Sequence, residues 1–409
     1  MTRRGSRVGT TVTEQRDPVY LNALGVVNAL GRGCEAVLAN LLRGHAPGMQ
    51  PRAGWIPERS VHVGVVTEGL PAWPEHLGAF HSRNNRLLAA AAEEIAAPLA
   101  AAREQFGADR IGVVLGSSTS GIAEGEAAIA AYEQTGTVPP AFDYRQQEIA
   151  SPSEGLARLL GLEGVAYTIS TACSSSAKAF GAARNLIEMD QCDAVVVGGS
   201  DSLCRLTLNG FAALESVAAG ACRPFSSERD GINIGEGAAL FLMTREPGPI
   251  RLAGVGESCD AYHISAPEPD GLGAEAAMRA ALDEGGVDPD AVAYLNLHGT
   301  ATPKNDEMES AAVARVLGPD TPCSSTKSLT GHTLGPAGAI EVALCWLLLS
   351  ENNEGNVLPA HIFNGPRDES LARIGLLEEP GHLPTDGPRY CLSNSFAFGG
   401  NNCSVLIAG

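Results

Sequence analysis

The chain is poor in aromatic residues and in positive charge. Phenylalanine, tyrosine and tryptophan make up 5% of the 409 residues, so the core has to be built mainly from alanine, valine, leucine and isoleucine. Such a core suits close packing of helices on a sheet. Lysine and arginine number 28 against 47 acidic residues, and the formal net charge is -19. Nucleic-acid-binding proteins normally carry a basic stripe, so the sequence argues against that class.

Signals for membrane insertion and export are also missing from the sequence. The longest apolar runs, such as residues 342–349, are too short to span a bilayer, and the acidity disfavours an anionic membrane surface. Residues 1–17 contain four arginines but no apolar segment, so we expect a disordered arm rather than an export signal. An acidic protein partner stays compatible with the net charge, because a local cationic patch can steer it.

Cysteine is scattered along the chain rather than clustered. The ten cysteines include no C-x-x-C pair, and no group of histidines and cysteines has the spacing of a zinc site. Together with the missing export signal, this pattern predicts reduced thiols in the cytoplasm and no metal centre.

Short apolar runs alternate with alanine-rich stretches, which predicts an α/β layered fold. Four runs have the continuous apolar character of strands that are buried on both faces: residues 111–115, 194–197, 238–242 and 403–407. Five stretches are predicted to be helices: residues 87–102, 177–189, 275–283, 307–317 and 337–350.

The two halves of the chain share an order of motifs. Each has a strand that runs into a Ser/Thr/Gly loop, at residues 114–119 and 297–302. Each then has a short loop before a helix of small residues, with Cys173 in the first loop and His332 in the second. Each closes on a glycine pair, residues 198–199 and 399–400, predicted to be a turn between strands. We interpret this order as a duplicated unit; chance similarity among Gly/Ala-rich segments is the alternative.

Cys173 lies in the motif TACSSS, where an apolar run gives way to a helix of small residues. A free thiol has a pKa of about 8.5, and a helix start lowers it through unpaired backbone N–H groups and the positive end of the helix dipole. The alternative is a buried structural thiol. That alternative fits seven other cysteines better: Cys34, Cys192, Cys204, Cys259, Cys345, Cys391 and Cys403.

Two histidines lie on turns of the repeated unit, which sets them apart. His298 opens the motif HGTATPKND, and His332 lies within KSLTGHTLGPAGAIE. Either could offer an imidazole N–H to a developing oxyanion or enolate. Lys327, Asp306 and Glu341 lie beside them in sequence and could form a supporting charge set, with ordinary solvated charges as the alternative. The other seven histidines are taken as core or surface residues: His45, His62, His76, His81, His263, His361 and His382.

The segment at residues 394–402 combines bulky rings with permissive glycines. Backbone N–H groups at such a turn can serve as an oxyanion hole, and a ring there could close an acyl tunnel. An ordinary glycine turn with core aromatics is the alternative.

These motifs together resemble the β-ketoacyl-acyl-carrier-protein synthases of the thiolase superfamily, in the branch with one cysteine and two histidines. The resemblance runs from about residue 19 to residue 407, and includes the segment RPFSSERDG at residues 223–231. It implies a thiolase-like α/β fold of two duplicated βαβαβαββ halves in a five-layer αβαβα sandwich. The halves would be residues 18–248, with the nucleophile, and residues 249–409, with both histidines.

The resemblance also implies a reaction and a role for each site residue. Cys173 would take an acyl group from the phosphopantetheine of a carrier protein, and no cofactor would be needed. His298 and His332 would then stabilise the enolate formed when malonyl-carrier protein loses CO2. The remaining roles follow the family pattern: backbone N–H groups of Cys173 and Phe398 as the oxyanion hole, Phe398 and Phe396 as the gate, Thr300 and Thr302 along the pantetheine channel, and Thr119 on the pocket wall at a dimer interface.

Some positions depart from the pattern of housekeeping members. Asn22-Ala23 stands where Thr-Gly is common, Ala397 where glycine is frequent and Asn401 where threonine is frequent. This combination is more similar to the ketosynthase subunits of aryl-polyene and highly reducing type II polyketide systems, which implies a heterodimer with a chain-length-factor subunit. A housekeeping fatty-acid enzyme acting as a homodimer is the alternative.

Other classes fit the sequence less well. A silent chain-length factor would lack the nucleophile, and a degradative thiolase would need a second cysteine in its closing loop. A serine hydrolase would need a G-x-S-x-G elbow, which the sequence does not contain.

Overall fold

The computed structural model describes residues 17–409, so the predicted disordered arm lies outside the described residues except for Asp17. The strands are β1 Val19–Asn28, β2 Gly31–Arg32, β3 Met49–Ile56, β4 Arg59–Gly64, β5 Ile111–Gly116, β6 Ala166–Ile169, β7 Ala194–Asp201, β8 Ile234–Gly235, β9 Gly237–Thr244, β10 Ile250–Cys259, β11 Val292–Asn296, β12 Pro322–Ser324, β13 Val357–Leu358, β14 Gly375–Leu376, β15 Gly381–His382, β16 Tyr390–Phe396 and β17 Asn401–Ala408. The helices are α1 Cys34–Arg43, α2 Arg83–Glu94, α3 Ala96–Phe106, α4 Ile122–Thr135, α5 Ser151–Leu160, α6 Ser175–Glu188, α7 Arg205–Ala213, α8 Leu272–Gly285, α9 Pro303–Val316, α10 Lys327–Thr330 and α11 Ala337–Leu349.

The strand order shows the duplication directly. The N-terminal half runs β1-β9-β7-β5-β6 and the C-terminal half runs β10-β17-β16-β11-β12, which is the same order of strands in both halves. The pairings also match: the first three strands of each series pair antiparallel, and the others pair parallel. The halves join where β1 pairs antiparallel with β10. The predicted duplication and α/β class are therefore confirmed.

The sheets and helices stack in five layers. α2 and α5 cover one face of the N-terminal sheet, and α8 and α9 cover the outer face of the C-terminal one. α6 and α11 lie between the two sheets and contact each other. Every residue of α11 is buried, as expected for a helix that is hydrophobic all round.

Small residues let the two central helices approach closely. A Cβ added at Gly338 of α11 would lie 2.7 Å from the Cβ of Ala177 on α6. The Oγ of Ser176 accepts a hydrogen bond from the backbone N–H of Ala339 at 2.9 Å. Since both helices begin beside the proposed catalytic loops, this contact brings the two halves of the site together.

Most predicted elements are present, and two predictions are wrong. The stretch 87–102 forms two helices that break at Ile95, because Pro98 has no N–H to donate to the carbonyl of Glu94. Gly198 and Gly199 lie inside β7 rather than in a turn. They are needed for close backbone approach, since a Cβ on Gly198 would lie 1.9 Å from the carbonyl oxygen of Ala239. Gly399 and Gly400 do form the predicted turn, between β16 and β17.

Within residues 17–409, no helix is both long and apolar enough to cross a membrane. All ten cysteines fall in this part of the chain and all are free. Cys259 is exposed and Cys34 is only partly buried, so their assignment as buried structural thiols is wrong.

Candidate active site

Cys173 sits on a strained turn just before α6. Ala172, the residue before it, has a φ of 54°, a conformation that costs a non-glycine residue energy. The turn is fixed by Ser175, whose Oγ accepts from the N–H of Thr171 at 2.9 Å and donates to the carbonyl of Ala172 at 2.5 Å. Because the local bonds hold the backbone, the thiol is presented at the helix start although it is only 6% exposed.

His332 contacts the sulfur directly. Its Nε2 lies 2.9 Å from the Sγ of Cys173. Its Nδ1 accepts from the backbone N–H of Leu334 at 3.3 Å, so the proton of the neutral ring is on Nε2. The backbone of His332 is anchored to the two residues that flank Ile234: its N–H donates to the carbonyl of Asn233, and its carbonyl accepts from the N–H of Gly235 at 3.0 Å. The ring is therefore fixed with its N–H toward the reacting atoms.

His298 lies across from His332, with ring centroids 5.3 Å apart and planes at 86°. The ammonium of Lys327 is 3.4 Å from its Nδ1, which again leaves the ring proton on Nε2. Burial lowers the pKa of both histidines well below the usual value, and the positive charge of Lys327 lowers them further. Both imidazoles are consequently neutral N–H donors near pH 7.

Buried carboxylates support the two catalytic loops. Lys327 pairs with Glu341, and burial raises the pKa of Glu341 to about 7 despite this pairing. Asp306 accepts from the N–H groups of Phe225 at 2.8 Å and Ala301 at 3.2 Å, so it holds the loop after His298 rather than either imidazole. Burial raises the pKa of Asp306 to about 6.

Two supporting carboxylates were not predicted from the sequence. Glu309 accepts from the N–H groups of His298 at 2.8 Å and Gly299 at 2.7 Å, and it lies one helical turn beyond Asp306 on α9. Asp201 accepts from the N–H groups of Thr119 at 2.9 Å and Gly335 at 2.8 Å, so it ties the two halves together behind the site. The i, i+3 spacing of Asp306 and Glu309 is the only sequence signal that points to one of them.

The direction of the thiol pKa differs from the prediction. Burial raises the pKa of Cys173 to about 12, although the positive charge of Lys327 and the N–H groups of Phe398 and Cys173 lower it. Desolvation of the thiolate outweighs the helix start, because almost no water reaches the sulfur. The two N–H groups that face the sulfur are those that the family resemblance assigns to the oxyanion hole.

This raised pKa predicts how alkylation of Cys173 depends on pH. The rate with iodoacetamide should rise about tenfold per pH unit from pH 6 to 9 without levelling off, since the thiolate stays a minor species throughout. Peptide mass spectrometry separates Cys173 from the exposed Cys259, and a short unstructured thiol peptide serves as the reference. A plateau for Cys173 below pH 9 would contradict the raised pKa.

A cavity of about 290 Å³ opens onto the three catalytic candidates. Thr300 and Thr302 line it, with their hydroxyls 2.9 Å apart, as do Phe396 and Phe398. Phe398 is only half buried and its ring lies 5.6 Å from that of Phe211, which positions both rings to narrow the cavity. Thr119 is buried against Asp201 instead of on the cavity wall of this single chain.

Cys173, His298 and His332 also form a group that could hold a metal ion, with ligand atoms within 4.8 Å of one another. The ammonium of Lys327 lies 3.4 Å from His298, on the side of the ring away from the shared space. A second positive charge so close opposes metal binding, since the two cations would repel each other in a buried site.

Two models of known protein families match this chain. Residues 78–247 match the β-ketoacyl synthase N-terminal domain and residues 250–360 match the β-ketoacyl synthase C-terminal domain. The 3-oxoacyl-[acyl-carrier-protein] synthase 2 of Synechocystis sp. is 32% identical over 324 residues, covering 74% of this chain and 76% of its own length. The enzyme of the same name from Staphylococcus aureus is 32% identical over 318 residues, covering 73% of this chain and 75% of its own.

Solved structures give a wider match. A chain from the complex of the ketosynthase ApeO with its chain length factor ApeC, from Xenorhabdus doucetiae, is 47% identical with a TM-score of 0.91, covering 98% of this chain and 99% of its own. A β-ketoacyl synthase from Burkholderia phymatum is 28% identical with a TM-score of 0.84, covering 96% of this chain and 99% of its own.

Proposed function

This chain belongs to the β-ketoacyl synthase family, and from that membership we propose that it extends acyl chains by decarboxylative condensation with malonyl-carrier protein. The family makes it an acyltransferase of the condensing class. The observation that carries the proposal is that one thiol and two neutral imidazole N–H donors meet on the wall of one cavity. The proposed product is a 3-oxoacyl chain two carbons longer, still attached to its carrier.

The first half-reaction is acyl transfer to Cys173. Its sulfur attacks the carbonyl carbon of an acyl thioester, and the carbon–sulfur bond to the carrier's pantetheine breaks. The proton that the Cys173 thiol gives up passes to the leaving sulfur of the carrier. The backbone N–H groups of Cys173 and Phe398 are proposed to bind the developing oxyanion. Their closeness to the sulfur supports this role. Thr300 and Thr302, on the wall of the cavity, are proposed to bind the pantetheine arm.

The second half-reaction uses the two imidazoles. The bond between the malonyl carboxylate and its methylene carbon breaks, CO2 leaves, and the electron pair remains as an enolate. His298 and His332 are proposed to donate their Nε2–H groups to the enolate oxygen, which stabilises the charge as it forms. The enolate carbon then attacks the acyl group on Cys173, and the new carbon–carbon bond forms as the carbon–sulfur bond breaks. The sulfur leaves as a thiolate, which takes up a proton from water to restore the thiol. Lys327 and Glu341 are proposed to hold the rings neutral and oriented.

We propose that the chain works as a heterodimer with a chain-length-factor subunit. Support comes from its 47% identity to a chain of a solved complex of that kind. Support also comes from β6, the outermost strand of the N-terminal sheet, whose residues are all partly exposed. An exposed edge strand offers unpaired backbone groups to a partner. An apolar groove on α4 that includes Ile129 and Tyr132 lies on the same half.

The cofactor requirement, the location in the cell and the pathway of this protein are also proposed. No metal or organic cofactor is proposed, because the chemistry above needs only the thiol, the N–H donors and the carrier's own phosphopantetheine. A cytoplasmic location is proposed from the ten free cysteines. The polyene or polyketide pathway is proposed over housekeeping fatty-acid synthesis because the chain is 47% identical to a chain of a complex between a ketosynthase and a chain length factor, against 32% for the 3-oxoacyl synthases.

The proposal is tested by intact mass spectrometry on the chain, expressed alone and co-expressed with its genomic neighbours. With acyl-carrier proteins of several chain lengths, wild-type protein should gain the mass of one acyl group. Addition of malonyl-carrier protein should then discharge it and yield a carrier that bears a 3-oxoacyl chain two carbons longer. Failure of both preparations to take up any acyl group would favour the silent chain-length-factor role instead.

A further inference from the structure

His361 is a buried histidine that the reaction described above does not use. It lies in the loop between β13 and β14, is 3% exposed and packs edge-on against the rings of Phe225 and Phe363. Both of its ring nitrogens are hydrogen-bonded. Nδ1 accepts from the backbone N–H of Ser325 at 3.1 Å, and Nε2 donates to the carbonyl of Pro224 at 2.9 Å.

The bond to Ser325 reaches the segment that carries Lys327, and through it the loop of His298. Ser325 donates its Oγ proton to the carbonyl of Gly299 at 2.7 Å, and the same Oγ accepts from the N–H of Lys327 at 3.3 Å. The contact is tight, because a Cβ on Gly299 would lie 2.5 Å from the Cβ of Ser325. A shift of Ser325 would therefore move Gly299, which follows His298, and would also move the backbone of Lys327.

The second bond acts on the same loops from the other side. Pro224 precedes Phe225, which has a φ of 57° and donates its N–H to Asp306 at 2.8 Å. Asp306 in turn accepts from the N–H of Ala301, in the loop after His298. The imidazole of His361 thus joins the turn at residues 224–225 to the segment at residues 325–327. Ser325 of that segment contacts the loop of His298 directly, and the turn is linked to the same loop through Asp306.

We propose that His361 is a positioning residue that holds His298 and Lys327 in register for the decarboxylation step. This inference rests on the proposed function. The anchors of Cys173 are separate, since its turn is held by Ser175 and Thr171. Loss of His361 should therefore affect decarboxylation and leave acyl transfer to Cys173 intact.

The neutral ring suits this role, because only neutral imidazole can accept from one N–H and donate to one carbonyl. Burial, with a smaller contribution from the positive charge of Arg367, lowers the pKa of His361 to about 4, although the bond to the carbonyl of Pro224 raises it. The hydrogen-bond pattern therefore persists at the pH at which such enzymes are assayed.

The test uses two variants that each keep one bond. In His361→Asn the amide oxygen replaces Nδ1 and still accepts from Ser325. In His361→Gln the amide nitrogen replaces Nε2 and reaches Pro224, but the acceptor for Ser325 is lost. We expect His361→Gln to release CO2 from malonyl-carrier protein about tenfold to a hundredfold more slowly, since small misplacements cost that much. His361→Asn should slow CO2 release less, because the bond to Pro224 that it loses reaches the loop of His298 only through Phe225 and Asp306. Both variants should acylate Cys173 at the wild-type rate.

A second measurement needs no turnover. Amide hydrogen exchange in the peptides containing Ser325 and Gly299 should be faster in His361→Gln than in wild type, and unchanged in the peptide containing Cys173. The exposed His76 provides the control variant, His76→Gln. Equal slowing of acylation and decarboxylation, or unchanged exchange at Ser325, would overturn the inference. If wild-type protein releases no CO2 while His361→Gln still shows the faster exchange at Ser325 and Gly299, the proposed function is contradicted and the positioning by His361 is not.

Discussion

Cys173→Ala takes up no acyl group from any carrier protein, and condensation falls by at least about a thousandfold. The reason is that the thiol is the only nucleophile that faces the cavity beside a pair of imidazole donors in the described part of the chain. Without it, the acyl chain has no covalent attachment and the enolate has no electrophile. Intact mass spectrometry after incubation with acyl-carrier protein measures the loading, and product mass on the carrier measures condensation.

The same variant should keep one partial activity. His298 and His332 are held by Lys327, Leu334 and their own backbone bonds, none of which involves the sulfur of Cys173. Cys173→Ala should therefore still release CO2 from malonyl-carrier protein.

Cys222→Ala is the matched control for loading. Cys222 is also a buried thiol near the site, with its Sγ 3.5 Å from the carbonyl of Lys327, but it does not line the cavity. Full loading of Cys222→Ala is expected. Loading of Cys173→Ala at a second position would mean that the nucleophile has been misassigned.

The convergence of Cys173, His298 and His332 could be predicted because each motif follows a strand of a repeated unit. Equivalent strands in duplicated halves bring equivalent loops to the same place, and the strand orders of the two halves are identical. The apolar runs that form β5, β7, β9 and β17 were recognisable for a related reason. They are buried on both faces, so their sequences carry no polar alternation that could be mistaken for an exposed strand.

The supporting residues could not be predicted in the same way. Asp201 and His361 lie in segments with no motif, and their importance comes from contacts with residues more than thirty positions away. The middle of β3 is exposed, so the sequence of this strand lacks a clear hydrophobic pattern. The pKa of Cys173 depends on how fully the second half of the chain covers the sulfur, which the local helix start does not reveal.

His298→Ala and His332→Ala each lower the rate of CO2 release from malonyl-carrier protein by about a hundredfold to a thousandfold, the usual cost of removing one donor to a developing oxyanion. Cys173 should remain open to acylation in both variants. The two substitutions should differ in their effect on the rate of acylation, because His332 contacts the sulfur of Cys173 at 2.9 Å whereas the hydrogen-bond partner of His298 is Lys327. Acylation should therefore be slower in His332→Ala than in His298→Ala. Normal condensation by either variant would contradict the assignment of the imidazoles.

Glutamine at the same positions separates two roles for the imidazoles. A glutamine amide nitrogen reaches about as far from the backbone as Nε2 of histidine and donates an N–H, but it cannot take up a proton. In the structure both rings carry their proton on Nε2, with Nδ1 facing Lys327 in one case and the N–H of Leu334 in the other. If the rings act as neutral donors, His298→Gln and His332→Gln should release CO2 at least tenfold faster than the alanine variants. Equal rates for glutamine and alanine would instead require an imidazole to accept a proton during the reaction, and the order of bond breaking would have to be revised.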